Sequence, residues 1–138
     1  MSIGDLVREA AFGFSLAKSG IARSSMTIGE LVREAHGTAR AKGWHDDDET
    51  PPDPIRIVAW LGLVCSEAAE AMEDVRLGNM ALTFGEDGKP EGLPSELADI
   101  LIRVADIAGA LGIDLEAAVV AKASYNARRS RRHGGKAA

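Results

Sequence analysis

The amino-acid sequence predicts an all-α fold, a helical bundle of about four main helices. Four segments carry apolar residues at the three-to-four-residue spacing that places them on one face of a helix. Each segment begins at a residue that caps helices well, and the first three end at a glycine. No segment shows the strict alternation of apolar and polar residues of a half-buried strand. These observations together favour helices packed on one another.

Local signals give the boundaries of the four helices. The first begins with a Thr-x-x-Glu capping box, and the second has a proline in its first turn, where no backbone amide is needed. The segment 44–54 is acidic and proline-rich, and 79–94 is rich in glycine and proline, so both are loops, the second with a short extended piece at 81–84. The predicted helices begin at the caps Thr27, Asp53, Ser95 and Asp114 and end at Gly43, Gly78, Gly112 and about Arg129.

Composition narrows the class of protein. With 138 residues, 46% of them apolar, and a net charge of −5, the chain has the composition of one globular domain. It contains no apolar run near the roughly 20 residues that a membrane helix needs. Asp5 and Glu9 stand in the N-terminal segment, where a secretory or transit signal would be free of acids. We therefore predict a cytoplasmic protein whose single cysteine, Cys65, is buried and unreactive.

A short internal repeat marks the N-terminal part of the chain. The segment 3–10 recurs almost unchanged as 28–35, and nothing after it continues the pattern, so the repeat is too short for a solenoid. Either the first copy is a duplicated leader, with Met26 as a second start, or it forms an extra amphipathic helix that packs on the body. We predict an N-terminal extension at 1–25 and a single domain at 26–138.

Two acidic pairs occupy equivalent positions on the second and third helices. Glu67 and Glu96 border the apolar stripes of their helices, and Glu70 and Asp99 lie about 60° further round. If the two stripes face each other, the four carboxylates share one seam. Their mutual repulsion is then costly unless protons or cations neutralise it. Mg²⁺ prefers such oxygen ligands and leaves coordination positions for phosphate.

A purely structural interpretation of these acids stays open. Single Glu-x-x-Glu pairs are common on solvated helix faces, and Arg103 offers Asp99 a salt bridge one turn away. The coincidence of two pairs on adjacent helices favours a metal site over this interpretation.

The fourth predicted helix changes character along one face. Its first turns are aliphatic there, and its later turns carry Lys122, Asn126 and Arg129. Such a face needs an anionic partner, either the facing carboxylates in a structural network or a bound phosphate. The segment 122–138 holds six basic residues and no acid, so an acidic body ends in a basic tail. A basic tail also serves simply to complement a helix dipole or to bind polyanions weakly.

Three further residues are candidate contacts to a base or to phosphates. Lys42 lies at the end of the first helix on its apolar side, and Trp44 follows two residues later. Trp44 either stacks on a base or covers the core. His133 either contacts a phosphate or a metal, or is a solvated tail residue.

The spacing of the acidic pairs resembles that of a known family. Glu67-x-x-Glu70 followed by Glu96-x-x-Asp99, all in predicted helices, is similar to the motif of the MazG-like all-α nucleoside triphosphate pyrophosphohydrolases. The resemblance covers 26–138 and leaves 1–25 outside. One subgroup opens and closes with segments similar to Thr27-Ile-Gly-Glu-Leu31, Lys42-Gly-Trp44, Lys122-x-x-Tyr125-Asn126-x-x-Arg129 and His133-Gly-Gly-Lys136.

The resemblance implies a Mg²⁺-dependent hydrolase, with Mn²⁺ as a substitute, in which water attacks the α-phosphorus of a nucleoside triphosphate and pyrophosphate leaves. It implies that Glu67 and Glu70 are catalytic and that one carboxylate orients or deprotonates the water. Some relatives carry a further glutamate at the position of Ser66. The implied metal ligands are Glu67, Glu70, Glu96 and Asp99, and the implied phosphate ligands are Lys122, Asn126, Arg129 and Lys136.

The resemblance also implies a homodimer or homotetramer, and the second helix, apolar almost all round over 57–65, fits a partner helix. Within the enzyme class, hydrolysis of dUTP, dCTP or phosphoribosyl-ATP uses similar acidic pairs, and the His-Gly-Gly-Lys ending disfavours the last. The alternative function is a non-catalytic helical oligomer or regulator that binds nucleotide or metal. Nucleic-acid binding through the basic tail is opposed by the acidic body.

Overall fold

The structure, a computed structural model, describes residues 25–130, and over this range it contains four α-helices and one β-hairpin. The predicted all-α fold of about four helices is confirmed. The first copy of the repeat, the extension at 1–24, and His133 and Lys136 lie outside the described residues. The elements are α1 (Ile28–Ala41), α2 (Pro54–Leu77), β1 (Thr83–Phe84), β2 (Pro90–Glu91), α3 (Leu93–Leu111) and α4 (Leu115–Arg128).

Three helices begin where their caps predict. The Thr27 hydroxyl accepts a hydrogen bond from the Glu30 amide at 3.1 Å, and the Glu30 carboxylate accepts one from the Thr27 amide at 2.8 Å. This reciprocal pair is the predicted capping box. Asp53 and Asp114 start α2 and α4 in a related way, because their carboxylates accept hydrogen bonds from backbone amides of the first turn.

The start of α3 differs from the prediction by three residues, because the cap is Gly92 and not Ser95. The helix begins at Leu93 and not after a Ser95 cap, because the Ser95 hydroxyl donates to the Pro90 carbonyl at 3.2 Å. Gly92 makes the turn into the helix with φ of 91°, and a Cβ at this position would lie 2.3 Å from the Ala81 carbonyl oxygen. The residue before α3 must therefore be glycine.

A small hairpin connects α2 to α3. The extended piece predicted at 81–84 is confirmed by β1, whereas its partner β2 was not predicted. The strands pair antiparallel, with Thr83 opposite Glu91, and the Gly85 amide donates to the Lys89 carbonyl at 2.9 Å. The hairpin thereby carries Lys89 to the N-terminal end of α3.

Helix α3 is the centre of the fold and packs against α1 on one side and α2 on the other. The approach of α1 is close, because a Cβ at Gly109 would lie 2.5 Å from the His36 Cβ. Helix α4 packs against α1, where the Glu116 carboxylate accepts a hydrogen bond from the Gly29 amide at 2.8 Å. Within 25–130, the buried residues of the helices are Ala35, Glu67, Ala71, Ala105 and Ala108.

One side of α2 is both apolar and exposed. Its residues recur at the three- and four-residue spacing of a heptad stripe, and we call Val58, Leu61, Cys65, Met72 and Val75 the exposed α2 stripe. The prediction that Cys65 is buried is wrong for the single chain, and the large apolar residues Leu61, Met72 and Val75 of this helix are exposed as well. A helix that is apolar on most sides does not reveal from its sequence which side faces its own domain.

No helix within residues 25–130 combines the length and the hydropathy that a membrane crossing requires.

Candidate functional site

Three glutamates from two helices meet at one place. Each of Glu67, Glu70 and Glu96 offers a carboxylate oxygen that lies within 4.8 Å of those of the other two, and we call these residues the carboxylate cluster. The first two are one helical turn apart on α2, and the third is in the first turn of α3, where the helix dipole favours a negative charge. Glu67 is 7% exposed, whereas Glu70 is open to solvent, so the cluster has a buried side and an accessible side.

Asp99 flanks the cluster without belonging to the mutually close set. Burial raises the pKa of its carboxyl, the charge of Glu67 raises it further, and Arg103 and Lys89 act in the opposite direction. The net shift is upward, so the predicted fourth ligand lies within the electrostatic reach of Glu67.

Arg103 joins α3 to α2 through the cluster. Its Nε donates a hydrogen bond to Glu67 Oε1. The ion pair of Arg103 is therefore with Glu67, whereas the spacing in the sequence had offered Asp99 as the partner. The pair crosses the helix interface, where the Glu67 carboxylate is buried. A carboxylate buried at this position needs a counter-charge, and the guanidinium supplies one.

The pKa of Glu96 is raised, partly because several other carboxylates lie near it. Burial raises the pKa of this carboxyl first, and the charges of Glu70, Asp99, Glu67 and Asp74 raise it further. Negative charges that raise the pKa of a neighbouring carboxyl are neutralised by a cation as well as by a proton. An all-oxygen donor set also matches the preference of Mg²⁺ and Mn²⁺, so the residues present fit a hard divalent cation.

The same shift predicts a pH-dependent stability. Because the pKa of Glu96 is higher in the folded than in the unfolded chain, the free energy of unfolding falls as the pH rises from about 4.3 through the folded-state pKa. Glu96→Gln has no such titration and should be the more stable protein above this window. Urea unfolding in EDTA at several pH values measures the difference. A difference between the two proteins that does not change with pH would contradict the prediction.

A cavity of about 420 Å³ opens beside the cluster between α1, α2 and α3. Trp44 and Trp60 contribute aromatic surface to it, and Lys42 contributes a cation. Two of the residues predicted as base or phosphate contacts, Lys42 and Trp44, therefore line one cavity. Arg103 also lines it, so the residue that pairs with Glu67 connects the cavity wall to the carboxylate cluster.

Sequence reasoning missed a polar group that includes two residues of the cavity wall, His45 and Asp106. His36 Nδ1 lies 2.8 Å from Asp106 Oδ1, and His45 Nε2 lies 2.8 Å from the same oxygen. A signal was present on the third helix, because Asp99, Arg103 and Asp106 are four and three residues apart in an otherwise apolar segment. Polar residues with this spacing share one helix face, and a polar strip on a packed helix indicates a site.

A second polar recess, of about 310 Å³, lies at the hairpin end of the cluster. Its lining includes Asp74, Asn79, Lys89 and Glu96, and Asn79 Nδ2 donates to Asp74 Oδ1 at 2.9 Å. The recess gives Glu96 an approach from solvent that is separate from the aromatic cavity.

The predicted phosphate ligands of α4 do not join this group within one chain. Lys122 and Asn126 are exposed on α4, which packs against α1, and Arg129 is exposed directly after its last residue. Lys122 Nζ and Arg129 Cζ lie 5.6 and 5.7 Å from the centroid of the Tyr125 ring, one cation–π contact each. The cations that act on Asp99, and partly oppose the rise of its pKa, are instead Arg103 and Lys89.

The arrangement has two chemical capacities that lie side by side. The carboxylate cluster is suited to a divalent cation, and the aromatic cavity is suited to a flat ring with polar edges. No protein-family model, curated protein or solved structure matches the chain. The functional proposal therefore rests on this geometry and on the motif resemblance.

Proposed function

We propose that this protein is a MazG-like nucleoside triphosphate pyrophosphohydrolase of the cytoplasm, which converts an NTP or dNTP to the monophosphate and pyrophosphate with Mg²⁺. Removal of unwanted nucleotides from the pool is the role that we assign to it. The observation that supports this most is the convergence of Glu67, Glu70 and Glu96 from two helices. The aromatic cavity next to the cluster offers room for the nucleoside.

The carboxylates and the aromatic cavity have separate roles in the proposed reaction. Glu67, Glu70, Glu96 and Asp99 would hold Mg²⁺, or Mn²⁺ in its place, which when bound neutralises phosphate charge and lowers the pKa of the attacking water. Glu70 is open to solvent and accepts no hydrogen bond from any residue of 25–130, so it is free to orient the water or take its proton. The water oxygen then bonds to the α-phosphorus, and the bond to the departing pyrophosphate breaks.

The cavity would hold the nucleoside beside this centre. Trp44 and Trp60 provide ring faces for stacking, and Lys42 and Arg103 provide hydrogen-bond donors in the cavity wall. Lys122, Asn126, Arg129 and Lys136 remain the proposed phosphate ligands. Because α4 packs against α1 in one chain, we assign their approach to the phosphates to an assembly of chains.

We also propose a homo-oligomer, and the small amount of apolar side chain buried in the single chain supports it. The buried apolar residues of the described chain are all alanines, while the exposed α2 stripe presents large side chains at heptad spacing. A small domain with so little buried apolar surface gains stability when a second copy covers such a stripe. We propose a dimer or tetramer in which α2 packs against α2 of another chain.

Met72→Glu should break this assembly, because it places a charge in the middle of the exposed α2 stripe. We expect self-association at least about 100-fold weaker. Ala59→Glu is the matched control, since Ala59 is also exposed on α2 but lies about 140° away from Met72 round the helix. Light scattering during size-exclusion chromatography gives the mass of each protein. A wild-type monomer, or equal masses for both variants, would contradict the prediction.

The hydrolase proposal is tested by a panel of nucleoside triphosphates assayed for pyrophosphate release with Mg²⁺. We expect release of pyrophosphate and monophosphate in equal amounts from at least one nucleotide, and none in EDTA. Glu67→Ala and Asp99→Ala should lose this activity in folded protein. Release of inorganic phosphate alone, or no turnover of any nucleotide by folded protein, would contradict the proposal.

One observation favours a second candidate function, a non-catalytic helical oligomer or regulator that binds nucleotide or metal. The Arg103 guanidinium already pairs with Glu67, so part of the cluster is neutralised by the chain itself. Binding of a nucleotide to a folded oligomer without release of pyrophosphate would favour this candidate over the enzyme.

A further inference from the structure

His45 stands between two carboxylates, one on each side of its ring. Its Nδ1 lies 2.5 Å from Asp48 Oδ2, and its Nε2 lies 2.8 and 3.0 Å from the two carboxylate oxygens of Asp106. Asp48 belongs to the loop between α1 and α2, whereas Asp106 belongs to α3. A neutral imidazole has one N–H and one lone pair, so only the imidazolium donates on both sides at once.

The charged groups around His45 compensate the positive charge of an imidazolium. The side chains of His45 and Asp48 are 10% and 9% exposed, so an unpaired lone pair facing a carboxylate would be costly here. Arg56 Nε donates to the other oxygen of Asp48 at 2.7 Å. An imidazolium and a guanidinium then face two carboxylates. His36 is a further titratable neighbour, with Nδ1 at 2.8 Å from Asp106 Oδ1 and its ring edge-on to that of His45, and Arg40 and Asp46 line a recess together with His45.

The pKa directions agree with this geometry. Burial alone would lower the pKa of His45, but its hydrogen bonds to Asp48 and Asp106 outweigh burial and the net shift is upward. Burial alone would raise the pKa of Asp48, but its bonds to Arg56 and His45 outweigh burial and the net shift is downward.

We propose that His45, protonated between Asp48 and Asp106, is a positioning residue that pins the loop 42–53 to α3 and thereby fixes the wall of the aromatic cavity. The loop has no helix or strand of its own and carries Trp44. The His45 ring also lies edge-on to Trp60, with the centroids 5.4 Å apart. Loss of the proton would therefore loosen the loop beside both tryptophans of the chain.

The pH dependence follows from the sign of the shift. A histidine whose pKa is raised on folding stabilises the fold fully below its unfolded value, about 6.5, and this contribution disappears as the pH rises through the folded-state pKa. The cavity should thus be best ordered below a pH of about 6.5 and should loosen as the pH rises through the folded-state pKa of His45.

A metal ion is the competing explanation for two histidines and an aspartate that offer ligand atoms within 4.8 Å of one another. Tetrahedral zinc with bonds of about 2.0–2.1 Å would hold its ligand atoms roughly 3.3 Å apart. The observed separations of 2.8 and 3.0 Å are those of charge-assisted hydrogen bonds. The geometry therefore points to a proton, and the metal becomes an outcome of the test.

The first test is the protonation state of His45 in the nucleotide-free protein, from long-range ¹H–¹⁵N spectra of the imidazoles across a pH series. We expect both nitrogens of His45 to be protonated in most molecules at pH 6.5, with the signals identified by their loss in His45→Gln. Asp48→Asn should lower the proton affinity of His45 at least about threefold, whereas Asp47→Asn, the same change on a loop residue that is open to solvent, should not. A neutral His45 at pH 6.5, or a zinc-bound Nε2 after addition of zinc, would overturn the proposal.

The second test is hydrogen exchange of the loop amides, corrected for intrinsic rate. Exchange over 44–50 should accelerate at least about tenfold as the pH passes the His45 midpoint, and His45→Gln and Asp48→Asn should show fast exchange at all pH values. Loop exchange that is unchanged in both folded variants would overturn the proposal. These tests need no turnover, so they stand apart from the hydrolase proposal. The one link to it is that the KM for nucleotide should rise at the same midpoint while kcat holds.

Discussion

Replacing Glu70 by glutamine should lower the rate of pyrophosphate release at least about 100-fold and leave the fold intact. Glu70 is the solvent-accessible member of the carboxylate cluster and accepts no hydrogen bond from the rest of 25–130, so its charge has no structural partner to lose. The neutral amide keeps the shape of the side chain but is a poor ligand for Mg²⁺. Steady-state assays with saturating nucleotide and a Mg²⁺ series measure the loss.

Glu73→Gln is the matched control for this substitution. Glu73 is a neighbouring exposed glutamate on α2, but its carboxylate pairs with Arg76 at 2.9 Å and lies outside the cluster. The control should keep its activity, because a surface pair of this kind contributes little to either stability or the site. Equal activity of the two variants would show that the cluster is not the reaction centre.

Arg103→Ala should lower the free energy of unfolding by about 1.5–3 kcal/mol when Mg²⁺ is absent. The guanidinium is the partner of the buried Glu67 carboxylate, and alanine leaves that charge inside the helix interface without a donor. The Arg103 side chain is 35% exposed, so water enters the gap and we expect the lower half of the range. Urea unfolding followed by circular dichroism measures the change.

Added Mg²⁺ should recover more stability in Arg103→Ala than in the wild type, because the cation then has Glu67 as an unpaired ligand. The control is Arg76→Ala, which removes an exposed ion pair and should change the free energy of unfolding by less than about 1 kcal/mol with no response to Mg²⁺. Equal destabilisation by both substitutions would contradict the bridging role that the structure gives to Arg103.

Most of the fold could be predicted from local signals. The capping box at Thr27 and the aspartate caps of α2 and α4 place three helix starts correctly, because a cap is satisfied by its own first turn. The start of α3 was not predictable in the same way. It depends on the contact of Gly92 with Ala81 across the hairpin, and that contact is not local.

The inward face of α2 could not be predicted either. Apolar residues surround much of this helix, so periodicity leaves its rotation open, and the apolar Met72 is exposed while the acidic Glu67 is buried. The pairing of the two acidic motifs needed only that α2 and α3 be neighbours. The meeting of Glu67, Glu70 and Glu96 therefore agrees with the predicted seam despite the rotation.

The contacts of the cavity wall lay beyond sequence reasoning. His36, His45 and Asp106 come from α1, a loop and α3, and their spacing along the chain follows no motif. Helix spacing favoured Asp99 as the ion-pair partner of Arg103. In the structure Arg103 pairs with Glu67, because the carboxylate of Glu67 is buried and needs a counter-charge. Tertiary charge neutralisation outweighs local helix geometry at this point.

The central claim is that α2 and α3 together form a binding site for a divalent cation. Binding of Mn²⁺, followed by the loss of its free-ion electron paramagnetic resonance signal and reversed by Mg²⁺, tests it most directly. We expect the wild type and Glu73→Gln to bind with the same affinity, and Glu70→Gln and Glu96→Gln to bind at least about tenfold more weakly. Equal affinity of all four proteins, or no Mn²⁺ binding by the folded wild type, would contradict the claim.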